Sequence, residues 1–91
     1  MSAAEFKGEI TGEIEARVLA LVATHARNPV EPGPATDIVT DAGMDSVAVM
    51  DFVLDLEESF DITIPLDRLT DIRTVADVVG EVRAIVQESA H

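Results

Sequence analysis

The four prolines stand at 29, 32, 34 and 65, and together with Gly33 and Gly43 they decide where helices can lie. Proline removes a backbone donor and clashes with the preceding helical turn. The stretch from Arg27 to Asp45, with Pro29, Pro32, Gly33, Pro34 and Gly43, is therefore a long irregular connection. Before it, from Thr11 to about Ala26, apolar residues recur at Ile14, Val18, Leu21 and Val22, with Ala20, Ala23 and Ala26 filling between. That spacing covers one face of a helix, helix I. Ile38 and Val39 are expected to anchor the connection to the core.

After the connection, Asp45 and Ser46 are both residues that cap helix N-termini, and the run Val47 to Phe60 has neither Gly nor Pro. It reads as helix II. Val49, Phe52, Val53, Leu56 and Phe60 share one face, while Val47, Met50 and Leu54 form a second apolar stripe. A helix packed on one core needs only one such stripe, so the second requires another use. Ile62, Ile64 and Pro65 suggest a short extended link, and Leu66 to Thr70 a single helical turn. Thr74 with Asp77 forms a capping pattern ahead of Val75, Val78, Val79, Val82 and Val86, which recur at helical spacing and define helix IV. Valine is a poor helix former, so packing must hold this helix. The expected fold is all-α: a small bundle of three main helices and one short one, with a long loop between helices I and II.

Ninety-one residues allow one small domain. Apolar residues make up 47% of the chain and aromatics 3%, so aliphatic side chains must build the core. There is no cysteine, hence no disulfide and no thiolate, and any thiol chemistry must be imported. Met1 to Ile10 lacks the apolar run of a signal peptide, and nothing downstream approaches a membrane span. A cytoplasmic location is expected. The net charge of −12 disfavours nucleic acid and anionic membranes and favours basic protein surfaces. Between Arg27 and Arg68 stand ten acids (Glu31, Asp37, Asp41, Asp45, Asp51, Asp55, Glu57, Glu58, Asp61 and Asp67) and no Lys or Arg.

Three chemistries compete for these residues. A serine nucleophile at Ser46 lacks both a G-x-S-x-G elbow and a positioned base, since the histidines are His25, read as a rim residue, and the terminal His91. A metal site lacks EF-hand spacing and any i, i+4 histidine pair. Covalent attachment at Ser46 competes with a plain helix cap, and Asp-Ser at a helix start is by itself most often a cap.

The wider pattern overturns the plain cap. Gly43-Met44-Asp45-Ser46-Val47, then Leu56-Glu57-Glu58-Ser59-Phe60, then Ile62-Thr63-Ile64-Pro65 resembles, in register, the acyl carrier protein family. Ile14 to Val18, Asp41 to Gly43 and Thr74-Val75 extend the resemblance over about Ile14 to Val86. It implies that Ser46 receives 4′-phosphopantetheine from coenzyme A through a phosphopantetheinyl transferase, with Gly43, Asp45 and Val47 as the attachment motif. It also implies that Val47, Met50, Asp51, Leu54, Asp55, Glu57 and Glu58 dock partner enzymes. Acyl-loading and acyl-transferring enzymes with basic patches are the expected partners, and the resemblance implies that the chain itself is a monomeric carrier and not an enzyme. Residues 1–10 are expected to be a flexible extension, 11–88 the carrier domain and 89–91 a tail. Val47 replaces the family's usual leucine and Ala48 a position often acidic. Both are expected where partners grip, which suggests a specialised carrier. An aminoacyl or peptidyl carrier and an unmodified adaptor are the alternatives; the acidity of helix II favours acyl cargo and the intact Asp45-Ser46 pair favours modification.

Overall fold

A computed structural model describes the backbone of residues 3–89 and the side chains of residues 12–88. It contains four helices in the expected order: α1 (Ala3–His25), α2 (Ser46–Phe60), α3 (Leu66–Leu69) and α4 (Val75–Ser89). Helix α1 begins well before the Thr11 start read from the sequence; the added residues hold no proline and include good helix formers such as alanine and glutamate. The flexibility expected of residues 1–10 concerns a segment whose side chains lie outside the described residues, as does most of the 89–91 tail.

Helix α1 packs against both α2 and α4. Val18 and Val22 from α1, Phe52 and Leu56 from α2, and Val75, Val78 and Val82 from α4 are almost wholly removed from solvent. The valines of α4 show which effect wins. Each costs about 0.5 kcal/mol of helix propensity but gains roughly 1.5 kcal/mol or more on burial, so packing decides. The helix start is set locally: Thr74 Oγ1 accepts the Asp77 N–H at 3.2 Å, and Asp77 Oδ2 accepts the Thr74 N–H at 3.0 Å, closing a reciprocal capping box.

The long connection is tied to the head of α4. Ile38 N–H donates to the Arg73 carbonyl at 2.9 Å, Val75 N–H to Thr36 at 3.0 Å and Ala76 N–H to Pro34 at 2.9 Å. Ile38 is buried as expected, but Val39 is 53% exposed. The expectation that Val39 anchors the loop is thus corrected: after the bridge from Asp37 to Thr74 the chain turns over residues 38–42, closed by the Asp41 and Ala42 N–H groups on the Asp37 carbonyl at 3.0 Å, and this turn leaves Val39 on its outer side. Ala42 and Met44 provide the loop's other buried contacts. Helix α3 buries no side chain and has no side-chain cap. It is tethered through Arg68, which lies 3.2 Å from Glu88 and 3.7 Å from Glu81 of α4.

Candidate functional site

The head of α2 is built by residues 41 to 48. Gly43 has φ +72°, and a β-carbon there would lie 2.7 Å from Asn28 Nδ2. Only glycine meets both conditions at no cost. Asn28 Nδ2 donates to the Asp41 carbonyl at 3.2 Å, and the Ala42 carbonyl accepts the N–H groups of Arg27 at 2.8 Å and Asn28 at 3.1 Å. The end of α1 is thereby fastened to the approach to α2. Beneath this, the Asp37 carboxylate accepts the Val39 and Thr40 amides at 2.8 and 2.9 Å. Those amide bonds hold its carboxyl below the usual range, Thr40 contributing most, then Val39, with Arg73 assisting.

Asp45, not Ser46, is the N-cap. Its Oδ1 accepts the Ala48 N–H at 2.8 Å, while Oδ2 lies 2.9 Å from Arg27 Nη1. Such a cap stabilises a helix by about 1 kcal/mol, and the half-exposed ion pair adds less. With the cap supplied by its neighbour, Ser46 is the first residue of α2 and is exposed to solvent. It opens onto a cleft of about 480 Å³ whose apolar lining is Val39, Met44, Val49, Met50 and Leu69. A second cleft, beside Val75, Val79, Gly80 and Arg83, has about half that volume, 240 Å³.

The two stripes of α2 separate as the sequence suggests. Phe52, Val53 and Leu56 are buried, whereas Val47, Met50 and Leu54 are 65%, 45% and 54% exposed. Ala48 departs from expectation: it is 6% exposed and belongs to the core, so it lies away from any surface a partner can grip. It precedes Phe52 by four residues and therefore shares the inward face. The acids of α2 also divide. Asp51 and Glu58 are exposed, but Asp55 Oδ2 lies 2.5 Å from His25 Nε2, and Glu57 Oε2 accepts the Ile64 N–H at 2.8 Å. His25 is half-buried, and its ring meets Phe52 edge-on at 6.1 Å, so it joins α1 to α2 and is not a bare rim residue.

A family model described as "Phosphopantetheine attachment site" matches residues 16–82, a span containing the whole of α2 and its approach. The chain belongs to the phosphopantetheine-binding acyl carrier protein family. It is 43% identical over 49 residues to a probable acyl carrier protein of Caulobacter vibrioides, covering 54% of this chain and 57% of the relative. It is 46% identical over 46 residues to an acyl carrier protein of Exiguobacterium sibiricum, covering 50% and 58%, and 44% identical over 52 residues to that of Wolinella succinogenes, covering 57% and 68%. The matched stretch thus spans little more than half the length of the first two relatives.

The cofactor of this acyl carrier protein family member is covalently held 4′-phosphopantetheine. The residues at the head of α2 fit that group: an exposed hydroxyl not used as a cap, beside an apolar cleft open to solvent. Three features of the site carry no local sequence signal: the pairing of Arg27 with Asp45, the wedge of Asn28 under Gly43, and the closure of His25 onto Asp55. Each joins residues at least 15 positions apart.

Proposed function

We propose that the chain carries acyl groups as thioesters on a 4′-phosphopantetheine arm joined to Ser46 and presents them to lipid- or polyketide-type biosynthetic enzymes, itself catalysing nothing. The observation that carries this reading is the division of labour between neighbours: Asp45 caps α2, which leaves the exposed hydroxyl of Ser46 free at its head. In the loading step, Ser46 Oγ attacks the β-phosphorus of coenzyme A. An Oγ–P bond forms as the phosphoanhydride bond breaks, 3′,5′-ADP departs, and the hydroxyl proton passes to a base of the transferase or to water. The arm, once bound, supplies the terminal thiol that this cysteine-free chain lacks.

The carrier domain is taken as residues 11–88, working as a monomer in the cytoplasm; among the described residues no helix is long and apolar enough to cross a membrane. Partners dock on the exposed stripe of Val47, Met50 and Leu54, flanked by Asp51 and Glu58. Gly43 and Asp45 shape the attachment turn, while Asp55 and Glu57 contribute charge from positions already bonded within the fold. With Ala48 buried, Val47 is the departure at the head of α2 that retunes partner choice. Transferases and acyl-handling enzymes with basic patches suit this surface by short-range apolar fit and charge complementarity.

The test is to incubate the protein with coenzyme A and a broad-specificity phosphopantetheinyl transferase and weigh it. Gain of one phosphopantetheine, absent in Ser46→Ala, is the expected result. An unchanged mass beside a control carrier that is loaded refutes the reading. Mass spectrometry of the chain from its own cells then separates acyl from aminoacyl cargo.

A further inference from the structure

Arg27 is the sole Lys or Arg from residue 27 to residue 67, and the fold brings it to the residue beside Ser46. Its position is set by the backbone: the Arg27 N–H is held by the Ala42 carbonyl at 2.8 Å, directly after the last turn of α1, where Ala26 N–H donates to Val22 at 2.8 Å. From there Nη1 reaches Asp45 Oδ2 at 2.9 Å, with the two side chains 58% and 53% exposed. Asp45 cannot turn away from this place without giving up the cap, because its other oxygen holds the Ala48 amide. A phosphodiester on Ser46 must therefore settle next to a fixed carboxylate.

We infer that Arg27 is a positioning residue for the arm, facing the phosphate on Ser46 with guanidinium donors that Asp45 leaves free. The inference rests on the attachment proposed above. A guanidinium carries five N–H donors in a planar fork suited to carboxylate and phosphate together, and the pair with Asp45 uses one Nη. Arg27 then bridges two anions, and the arm leaves the bundle with its first charge neutralised and its direction restricted. Without Arg27 the same phosphate stands beside Asp45 with no cation within reach on the same segment.

The test compares unmodified and modified forms of the wild type, Arg27→Gln and Arg27→Lys. The quantity read is the change in Tm caused by modification, which subtracts the Arg27–Asp45 contact already present before loading. At low salt this change is expected to be less favourable in Arg27→Gln by about 2–4 °C, the size an exposed ion pair gives in a domain this small. Arg27→Lys restores part of it, and about 0.5 M salt removes the difference. The Arg27 Nε–Hε resonance is expected to move when the wild type is loaded. Equal modification-induced changes in wild type and Arg27→Gln, or an Arg27 resonance that loading leaves in place, overturns the inference. Every sample is weighed first. A wild-type chain that takes no arm overturns the attachment reading and this inference with it, whereas a loaded chain indifferent to Arg27 overturns the inference alone.

Discussion

Gly43→Ala tests whether the approach to α2 is held by conformation, by contact or by both. At φ +72° an alanine is in the left-handed region, which costs roughly 1–2 kcal/mol. Its β-carbon would stand 2.7 to 2.9 Å from three atoms of the Asn28 amide, so that side chain must leave and with it the 3.2 Å bond to the Asp41 carbonyl. An exposed hydrogen bond of this kind contributes about 0.5–1 kcal/mol. The two add to roughly 2–3 kcal/mol, which in a domain of this size lowers Tm by roughly 10–20 °C. Thermal unfolding followed by circular dichroism at 222 nm, a wavelength that reports helix, is the assay. Asn28→Ala combined with Gly43→Ala separates the causes: it removes the clash and keeps the strained φ, so the double variant is expected to be no less stable than Gly43→Ala alone. A Gly43→Ala protein within about 2 °C of wild type refutes the conformational argument. A double variant whose loss equals the sum of the single losses refutes the contact argument.

Asp61 occupies the left-handed region at the C-cap of α2, with φ 54°, so Asp61→Gly is expected to raise stability by up to about 1 kcal/mol, measured by urea denaturation. The Asp77 carboxyl is held below its ordinary value by the Thr74 amide first and the Arg73 amide second. The unfolded chain then binds the proton more tightly than the folded one, so this contribution is complete above the ordinary carboxylate value and is lost as pH falls through the depressed value. Tm measured from about pH 5 downward is expected to fall less steeply in Asp77→Asn than in wild type. Asp51→Asn with Glu58→Gln is expected to weaken transferase binding about 3- to 10-fold at low salt without moving Tm. Glu57→Ala, by contrast, is expected to lower stability by about 1 kcal/mol, through the lost bond to the Ile64 amide. Titration calorimetry and thermal unfolding together check both halves of that contrast.

Features governed by neighbours three or four residues apart are legible in the amino-acid sequence itself. The Thr74–Asp77 box and the two stripes of α2 depend only on helical spacing, and the fold contains both. Ala48 carries a signal too, since it stands at Phe52 minus four and Leu56 minus eight, but a small side chain weighs little in a hydrophobic pattern. Val39 escapes sequence reasoning for a different reason: an irregular loop has no period, and which of Ile38 and Val39 turns inward depends on the bridge from Asp37 to Thr74, 37 residues away. The contacts of Arg27, Asn28 and His25 are of that second kind. Each is fixed by how the end of α1 meets α2, and nothing in the residues beside them records it.

The same distinction changes what the negative charge means. Counted along the chain, the ten acids between Arg27 and Arg68 form one field. In the fold, Asp37, Asp41, Asp45 and Glu57 accept backbone amides and Asp55 meets His25, so half of them have a bonding geometry already fixed. A partner that comes within about one Debye length, roughly 8–10 Å in ordinary buffers, meets bonded and unbonded acids alike as part of one field. At contact the count is smaller, because a lysine or arginine that takes a bonded carboxylate oxygen must compete with a cap or a helix closure. On the proposed docking reading, encounter rate and complex lifetime depend on different acids: the whole field steers, while on α2 the exposed Asp51 and Glu58 can be held by a partner without breaking a bond within the carrier.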